Sequence, residues 1–226
     1  MTTQFRDIVP SEPVSPIEIL RFRTPGPYQR GLKRVFDLLL IVLTAPATLS
    51  LIFIVALLVR RDGGPAFYRQ ERVGRNGRIY RIWKLRTMVL DAEEALAPYL
   101  AAHPEAHAEW TLHQKLKDDP RVTRIGRLLR KCSIDELPQL WNVFVGEMSL
   151  VGPRPMMPDQ QEMYPGRAYF TERPGITGTW QVSERNHSTF ADRARFDTSY
   201  IREMSFVNDI KILFQTVRVV IWGTGY

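Results

Sequence analysis

Asp135 and Glu136 stand side by side in "KCSIDELPQL", residues 131–140, directly after the basic run "RLLRK" and shortly before "GPRP". An ionised carboxylate can be a nucleophile or a ligand for Mg²⁺, which prefers oxygen donors. The same residues also suit a structural role, because Ser133-Ile134-Asp135-Glu136 matches the S-x-x-E capping box. A cap at Ser133, however, would put Pro138 at the fifth helical position, where its missing N–H costs a hydrogen bond. A helix starting at Asp135 keeps Pro138 in the first turn and predicts Leu137, Leu140, Trp141 and Phe144 as the buried stripe. It would also set Asp135 at the positive end of the helix dipole, where the charged form is favoured. Cys132 has no histidine near it in sequence to activate it and reads as a small buried thiol.

The elements that must position this pair are legible on either side. "AFYRQERVGRNGRIYRIWKLRTM" predicts two strands around a turn at Asn76-Gly77. If the second strand runs through Arg86, Lys84 and Arg86 share a face. Two cations there form either a solvated basic strand or a diphosphate grip. Residues 91–118 read as helical with a break near Pro104. His103 and His107 have the spacing of a metal pair, but Pro104 interrupts the helix that would align them, and His113 lies further on. "VTRIGRLLRK" predicts a short basic helix leading into the acidic pair. In "NDIKILFQTVRVVIWG", Ile210, Leu213, Phe214 and Val217 recur at helical spacing and Trp222 suits a membrane headgroup depth. That helix either lies in an interface or packs on the core.

Residues 38–59, "LLLIVLTAPATLSLIFIVALLV", hold no charged side chain, which is the length and composition a bilayer helix needs. Arg30, Lys33 and Arg34 precede the run, and Arg60, Arg61, Arg69 and Arg72 follow it, so the positive-inside tendency pulls both ends toward the cytoplasm. Pro46 sits near the middle and predicts a break. A helix that enters and leaves by one face satisfies both observations, although a proline-kinked span satisfies the second. Residues 1–31 read as a flexible extension, 32–60 as the membrane helix and 61–226 as a catalytic domain. The chain of 226 residues carries 31 basic and 24 acidic side chains, a net charge of +7. That balance favours an anionic partner: nucleic acid, an anionic membrane or a phosphorylated substrate. One cysteine excludes an internal disulfide, and CxxC zinc motifs are absent.

The motifs "KRVFDLLL", "YRQERVGRNG", "IWKLRTM", "DPRVTRIGRLLRKCSIDELPQLWNVFVGEMSLVGPRP" and "RPGITGTWQV" occur in this order. The pattern resembles the bacterial sugar transferase family, the monotopic phosphoglycosyl transferases that prime exopolysaccharide and O-antigen synthesis, and covers residues 32–222. The resemblance implies an α+β, mainly helical chain, anchored by a proline-broken re-entrant helix, with a small β-hairpin and a catalytic domain on the cytoplasmic face of the bacterial inner membrane. It implies transfer of a sugar phosphate from a UDP-sugar, of hexose type, to a polyprenol phosphate such as undecaprenyl phosphate. It further implies Mg²⁺ as cofactor, Asp135 and Glu136 as the catalytic and metal-holding dyad, and Lys84, Arg86, Arg130 and Arg154 as phosphate-binding groups. Two departures stand out. Family members often carry Ser-Pro at the helix break where this chain has Ala45-Pro46. Many hexose-type relatives carry further transmembrane helices ahead of this domain, and only the short extension is expected here.

A reading from another class is a membrane-anchored helix-turn-helix DNA-binding regulator, with "TRIGRLLRKCSIDELPQLWNVF" as two helices around a turn. Its second helix would open on two acids and continue with Leu, Trp and Phe, a poor surface for phosphates, so the expected partners are sugar donor, acceptor lipid and membrane lipid, with no nucleic acid. A non-catalytic scaffold is a weaker rival. Which sugar is carried, and whether the chain forms a homo-oligomer, stays open in the sequence.

Overall fold

The structure is a computed structural model that describes residues 26–113, 116–183 and 189–221. Most of the N-terminal extension, and Trp222, lie outside the described residues. Helix α1 (Lys33–Val59) is the apolar run. It is one helix through Pro46, so the expected break does not interrupt it. Proline at 46 removes the one N–H that would have bonded the Val42 carbonyl, and the turns on either side stay helical. The hydroxyls of Thr44, Thr48 and Ser50 donate to the carbonyls of Leu40, Thr44 and Pro46 one turn back, so hydroxyls flank the proline even though Ala45 has none.

Only 11% of the most apolar window of this helix is buried, so it is not a core helix. Its outer face exposes Leu39, Val42, Leu43, Leu49, Phe53, Ile54 and Leu57. Its inner stripe, Lys33, Asp37, Ile41, Val55, Ala56 and Val59, is buried. That stripe is polar at the start of the helix and apolar at its end. Lys33 pairs with Asp209 at 2.5 Å, and Tyr28 and Tyr200 donate to the same carboxylate. Asp37 accepts from the Ser149 hydroxyl and the Leu150 N–H, and Arg34 donates to the carbonyls of Val143 and Phe144. At the far end, Val55, Ala56 and Val59 pack on Ala66, Leu85 and Leu129. Both ends of the apolar helix are therefore fastened to the rest of the chain.

The hairpin expected around Asn76-Gly77 is present: β1 (Phe67–Val73) pairs antiparallel with β2 (Ile79–Leu85), from Phe67 opposite Leu85 to Val73 opposite Ile79. Asn76 and Gly77 take positive φ, 58° and 75°, the conformation for which Asn-Gly is suited. Helices α2 (Ala92–Ala102) and α3 (Pro104–His113) are separated at His103 as the proline requires, with Pro104 opening the second. The basic helix is α4 (Arg124–Lys131), capped by Thr123, whose Oγ1 accepts from the Gly126 N–H. A Cβ on Gly126 would stand 2.0 Å from the Thr87 carbonyl oxygen, so only glycine lets α4 lie against the chain leaving β2.

The helix expected to begin at Asp135 begins later. Residues 134–136 form a 3₁₀ turn, and α5 is Gln139–Val145. Its buried residues are Gln139, Asn142 and Val143, while Trp141 and Phe144 are about half exposed. Of the expected stripe, Trp141 and Phe144 thus face outward, Leu137 is half-buried and Leu140 packs on the core, while Asn142 shares the inner face with Val143. Asn142, fully buried, accepts from the Trp83 N–H and donates to the Arg81 carbonyl and to Glu147. It completes the free edge of β2 as a neighbouring strand would.

Two further strands, β3 (Ser149–Val151) and β4 (Gly175–Thr177), pair in parallel. They are only three residues long, and the sequence reading assigned them no element. A Cβ on Gly175 would meet the Gly152 nitrogen at 2.1 Å, so glycine is required where the two strands meet. Helices α6 (Thr179–Val182), α7 (Arg193–Glu203) and α8 (Phe206–Ile221) close the core. Val143, Met148, Val151, Tyr200, Ile201 and Ile212 are at its centre. On α8, Ile212 is buried and Ile210 and Leu213 half-buried, while Phe206, Val207, Phe214 and Val217 point out. One helix thus does both things expected of it, packing on the core and offering an apolar outer face.

Candidate active site

The chain reaches the acidic pair through a reversal. Helix α4 ends at Lys131, and Ser133 takes a left-handed conformation, φ 54°. Its side chain makes no capping bond, so neither expected cap forms. The 3₁₀ turn that follows packs against β2 and turns Asp135 inward, where only 7% of it is exposed.

Glu136 meets Lys84 at 2.8 Å, and Arg154 lies 3.9 Å from the same carboxylate oxygen. Lys84 and Arg130 are the cations facing Asp135, and Arg130 is itself steadied by donating to the Thr87 hydroxyl at 3.0 Å. Arg154 is delivered by the "GPRP" turn leaving β3, its guanidinium 5.6 Å from the Trp180 ring. Lys84, Glu136 and Arg154 therefore line one cleft, together with Arg72, Gln139, Met157, Gln160 and Arg193, and buried Asp135 stands beside Glu136 with Lys84 and Arg130 acting on its charge.

Arg86 does not join them. It follows β2 rather than extending it, and its guanidinium is spent on Asp62 (2.5 and 2.8 Å) and on the carbonyls of Pro65, Met88 and Val59. The expected shared face with Lys84 is lost because the strand stops at Leu85. Arg86 instead clamps the end of α1 to the hairpin.

Charge at Asp135 also differs from the simple dipole expectation. Burial is the largest influence and pushes its pKa up to about 6, with Glu136 adding to it and Lys84 and Arg130 opposing. A 3₁₀ turn of three residues supplies too little aligned backbone to outweigh that desolvation. A carboxylate held in this way gains from any further cation brought to it.

As a donor set for Mg²⁺, two adjacent carboxylates offer oxygen ligands only, which suits that ion. No cluster of three acidic, His or Cys side chains exists among the described residues. The pair thus fits Mg²⁺ in the mode where substrate phosphates and water complete the shell, and not as an all-protein cage. His103 is occupied differently: its ring stacks on Tyr99, 4.3 Å between centroids, with Nδ1 2.9 Å from the Tyr99 carbonyl.

Two cleft residues were missed by sequence reasoning, Arg72 and Arg193. Arg72 sits on β1 opposite Tyr80, and register alone puts it on the face that carries Lys84, so the hairpin pattern held that signal. Arg193 begins a helix the sequence did not announce.

The model for the family described as bacterial sugar transferase matches residues 28–223. A "UDP-galactose-lipid carrier transferase" of Erwinia amylovora is 50% identical over 202 residues, covering 87% of this chain and 42% of that protein. An "Undecaprenyl-phosphate galactose phosphotransferase" of Salmonella typhimurium is 46% identical over 198 residues, with the same 87% and 42% coverage. The "Exopolysaccharide production protein ExoY" of Sinorhizobium fredii is 44% identical over 196 residues, covering 85% of this chain and 87% of the relative. The chain thus spans less than half the length of the first two and most of the third.

Proposed function

Because the chain belongs to the bacterial sugar transferase family, we propose that it moves a sugar-1-phosphate, of hexose type, from a UDP-sugar to undecaprenyl phosphate, releasing UMP. The observation that carries the reading is a cleft lined by Lys84, Glu136 and Arg154, with Asp135 buried next to Glu136 and under the charge of Lys84 and Arg130. The relatives' names, which speak of a UDP-galactose carrier transferase and an undecaprenyl-phosphate phosphotransferase, support the substrate classes.

Phosphoryl transfer asks mainly for positioning and for neutralising charge on phosphate oxygens. An Asp135 carboxylate oxygen forms a bond to the sugar-proximal phosphorus, while the bond from that phosphorus to the bridging oxygen breaks. UMP leaves with the electron pair. An oxygen of the acceptor phosphate then attacks the same phosphorus, and the bond to Asp135 breaks, restoring the carboxylate. Lys84 and Arg154 flank Glu136 and Arg130 faces Asp135, so cations surround the attacked group. Mg²⁺, held by Asp135 and Glu136, would supply further charge neutralisation at the diphosphate.

We further infer that α1 enters and leaves the membrane by one side. A helix of 27 residues is about 40 Å long, longer than the roughly 30 Å hydrocarbon core. Its first turns are bolted to Asp209, Ser149 and the carbonyl end of α5, and its last turn to β2 and α4. One polar domain cannot hold both ends from opposite faces of a bilayer. Exposed Arg30, Arg60 and Arg61 at the two ends favour the cytoplasmic face.

The helix-turn-helix alternative fits less well. The second helix has seven residues and exposes Trp141, Phe144 and Val145, with no cation among them to meet a phosphate backbone. Incubation of the purified full chain with UDP-sugars, Mg²⁺ and undecaprenyl phosphate tests the reading: acceptor-dependent UMP release is expected, and its absence with every UDP-hexose would sink it.

A further inference from the structure

Five buried polar side-chain atoms lack a hydrogen-bond partner among the described residues: Arg72 Nη1, Tyr80 Oη, Thr179 Oγ1, Gln181 Oε1 and Arg193 Nε. Tyr80 is the cross-strand neighbour of Arg72. Thr179 and Gln181 flank Trp180, whose ring lies 4.4 Å from the Arg193 guanidinium and 5.6 Å from that of Arg154. Unsatisfied buried groups are rare in native chains. Two of the five, on Arg72 and Arg193, belong to residues that line the cleft itself.

That part of the cleft is also congested with charge. Among the described residues Arg72 has one acceptor, Gln70 at 2.6 Å, and no ion pair. Burial and the nearby Arg154 and Arg72 push Arg193 down to about 10, and burial with Arg154 lowers Arg72 as well. Among the described residues the acid that offsets Arg193 is Asp197, one helical turn on, but it accepts from the Tyr164 hydroxyl and is itself pushed up to about 7 by burial. Of the three guanidiniums only Arg154 has a carboxylate within ion-pair distance among the described residues, Glu136 at 3.9 Å, so buried Arg72 and Arg193 cost stability unless an anion completes them.

We propose that Arg72, Arg154 and Arg193 form a second phosphate-binding subsite, beside the carboxylate pair, that takes a phosphate-ester dianion. Arginine forks match phosphate oxygens geometrically. Arg72 stands four residues along the hairpin from the level of Lys84, roughly 13 Å at the strand rise, so Arg72 and Arg193 reach a phosphate other than the one under attack, and Arg154, 3.9 Å from Glu136, joins the two. The proposal rests on the transferase reading, whose reaction brings two such esters to the cleft: the nucleotide phosphate that leaves and the lipid phosphate that arrives. Both share the chemistry the arginines recognise.

The test uses the full chain in detergent with Arg72→Gln and Arg193→Gln, titrated with UMP and with a three-isoprene prenyl phosphate, following dissociation constants and thermal midpoints. Both variants, without ligand, should hold the wild-type midpoint or exceed it, because an uncompensated buried charge is gone. Each should weaken one probe at least tenfold. Loss confined to UMP assigns the subsite to the departing nucleotide, and loss confined to the prenyl phosphate assigns it to the acceptor. Wild type binding neither probe at millimolar concentration overturns the subsite. So do variants that bind both probes within twofold of wild type, whether or not their midpoints fall. A wild type that turns over UDP-sugar normally while the variants' binding is unchanged sinks only the subsite. A wild type that releases no UMP sinks the transferase reading instead.

Discussion

Lys84 and Arg86 are two residues apart and chemically alike, yet they stand in different parts of the molecule. Lys84 points into the cleft against Glu136, whereas Arg86 is buried under α1 with Asp62 and three backbone carbonyls. Lys84→Ala should therefore lower turnover by about a hundredfold, the scale of removing one charge-stabilising group, with a thermal midpoint within a few degrees of wild type. Arg86→Ala should do the reverse. It leaves the Pro65, Met88 and Val59 carbonyls unpaired and costs roughly 2–3 kcal/mol in denaturant unfolding. Equal losses of stability in the two variants would undo this division. Asp135, Glu136, Lys84, Arg130 and Arg154, which the structure brings together, were legible in the sequence because each belongs to a dense local motif. Arg86 was misread because a period-2 argument holds only while the strand lasts, and β2 ends one residue before it.

At the scale of elements, short-range chemistry was legible and long-range closure was not. Asn76-Gly77 fixed a turn and Pro104 a helix break, since each acts through its own backbone. The three-residue strands β3 and β4 pair across more than twenty residues and leave no periodicity to read. Asn142 is similar: nothing local says that it will finish the edge of β2. Asn142→Ala should cost about 2–4 kcal/mol, as the Trp83 N–H and the Arg81 carbonyl lose their partner in a dry site. Loss of under 1 kcal/mol on denaturant unfolding would show the edge to be solvated. In α7, Asp197 has its pKa raised from the usual carboxylate range to about 7 by burial. The folded chain thus holds that proton more tightly than the unfolded one. The stability it lends is full below about pH 4 and is lost as pH rises through about 7. Wild type should melt lower at pH 8 than at pH 5.5, and Asp197→Asn, which can still accept from Tyr164, should remove part of that fall. An identical fall in the variant would mean that other groups cause it. For α1, Gly31→Cys and Arg61→Cys, placed singly in a Cys132→Ser background, should both escape an impermeant thiol reagent applied outside spheroplasts. Labelling of one but not the other would establish a simple span.

The whole molecule combines a water-facing cleft with an apolar face. The cleft sets Lys84 and Arg154 around Glu136, with Asp135 and Arg130 next to it. The outer sides of α1 and α8 leave large apolar residues uncovered. That combination suits an enzyme whose donor is soluble and whose acceptor is dissolved in lipid, and it gives the net charge of +7 a use at an anionic surface. The central claim is that Asp135 itself carries the phosphosugar between the two. The most direct test is intact-mass and peptide mapping of the full chain incubated with UDP-sugar and Mg²⁺ but no acceptor. The account predicts at most about one UMP released per active site and one phosphosugar mass added on Asp135, as a two-step covalent mechanism requires. Added undecaprenyl phosphate should discharge that adduct, and folded Asp135→Asn should neither acquire it nor release UMP. An adduct on another residue, or sustained UMP release by Asp135→Asn, would contradict it.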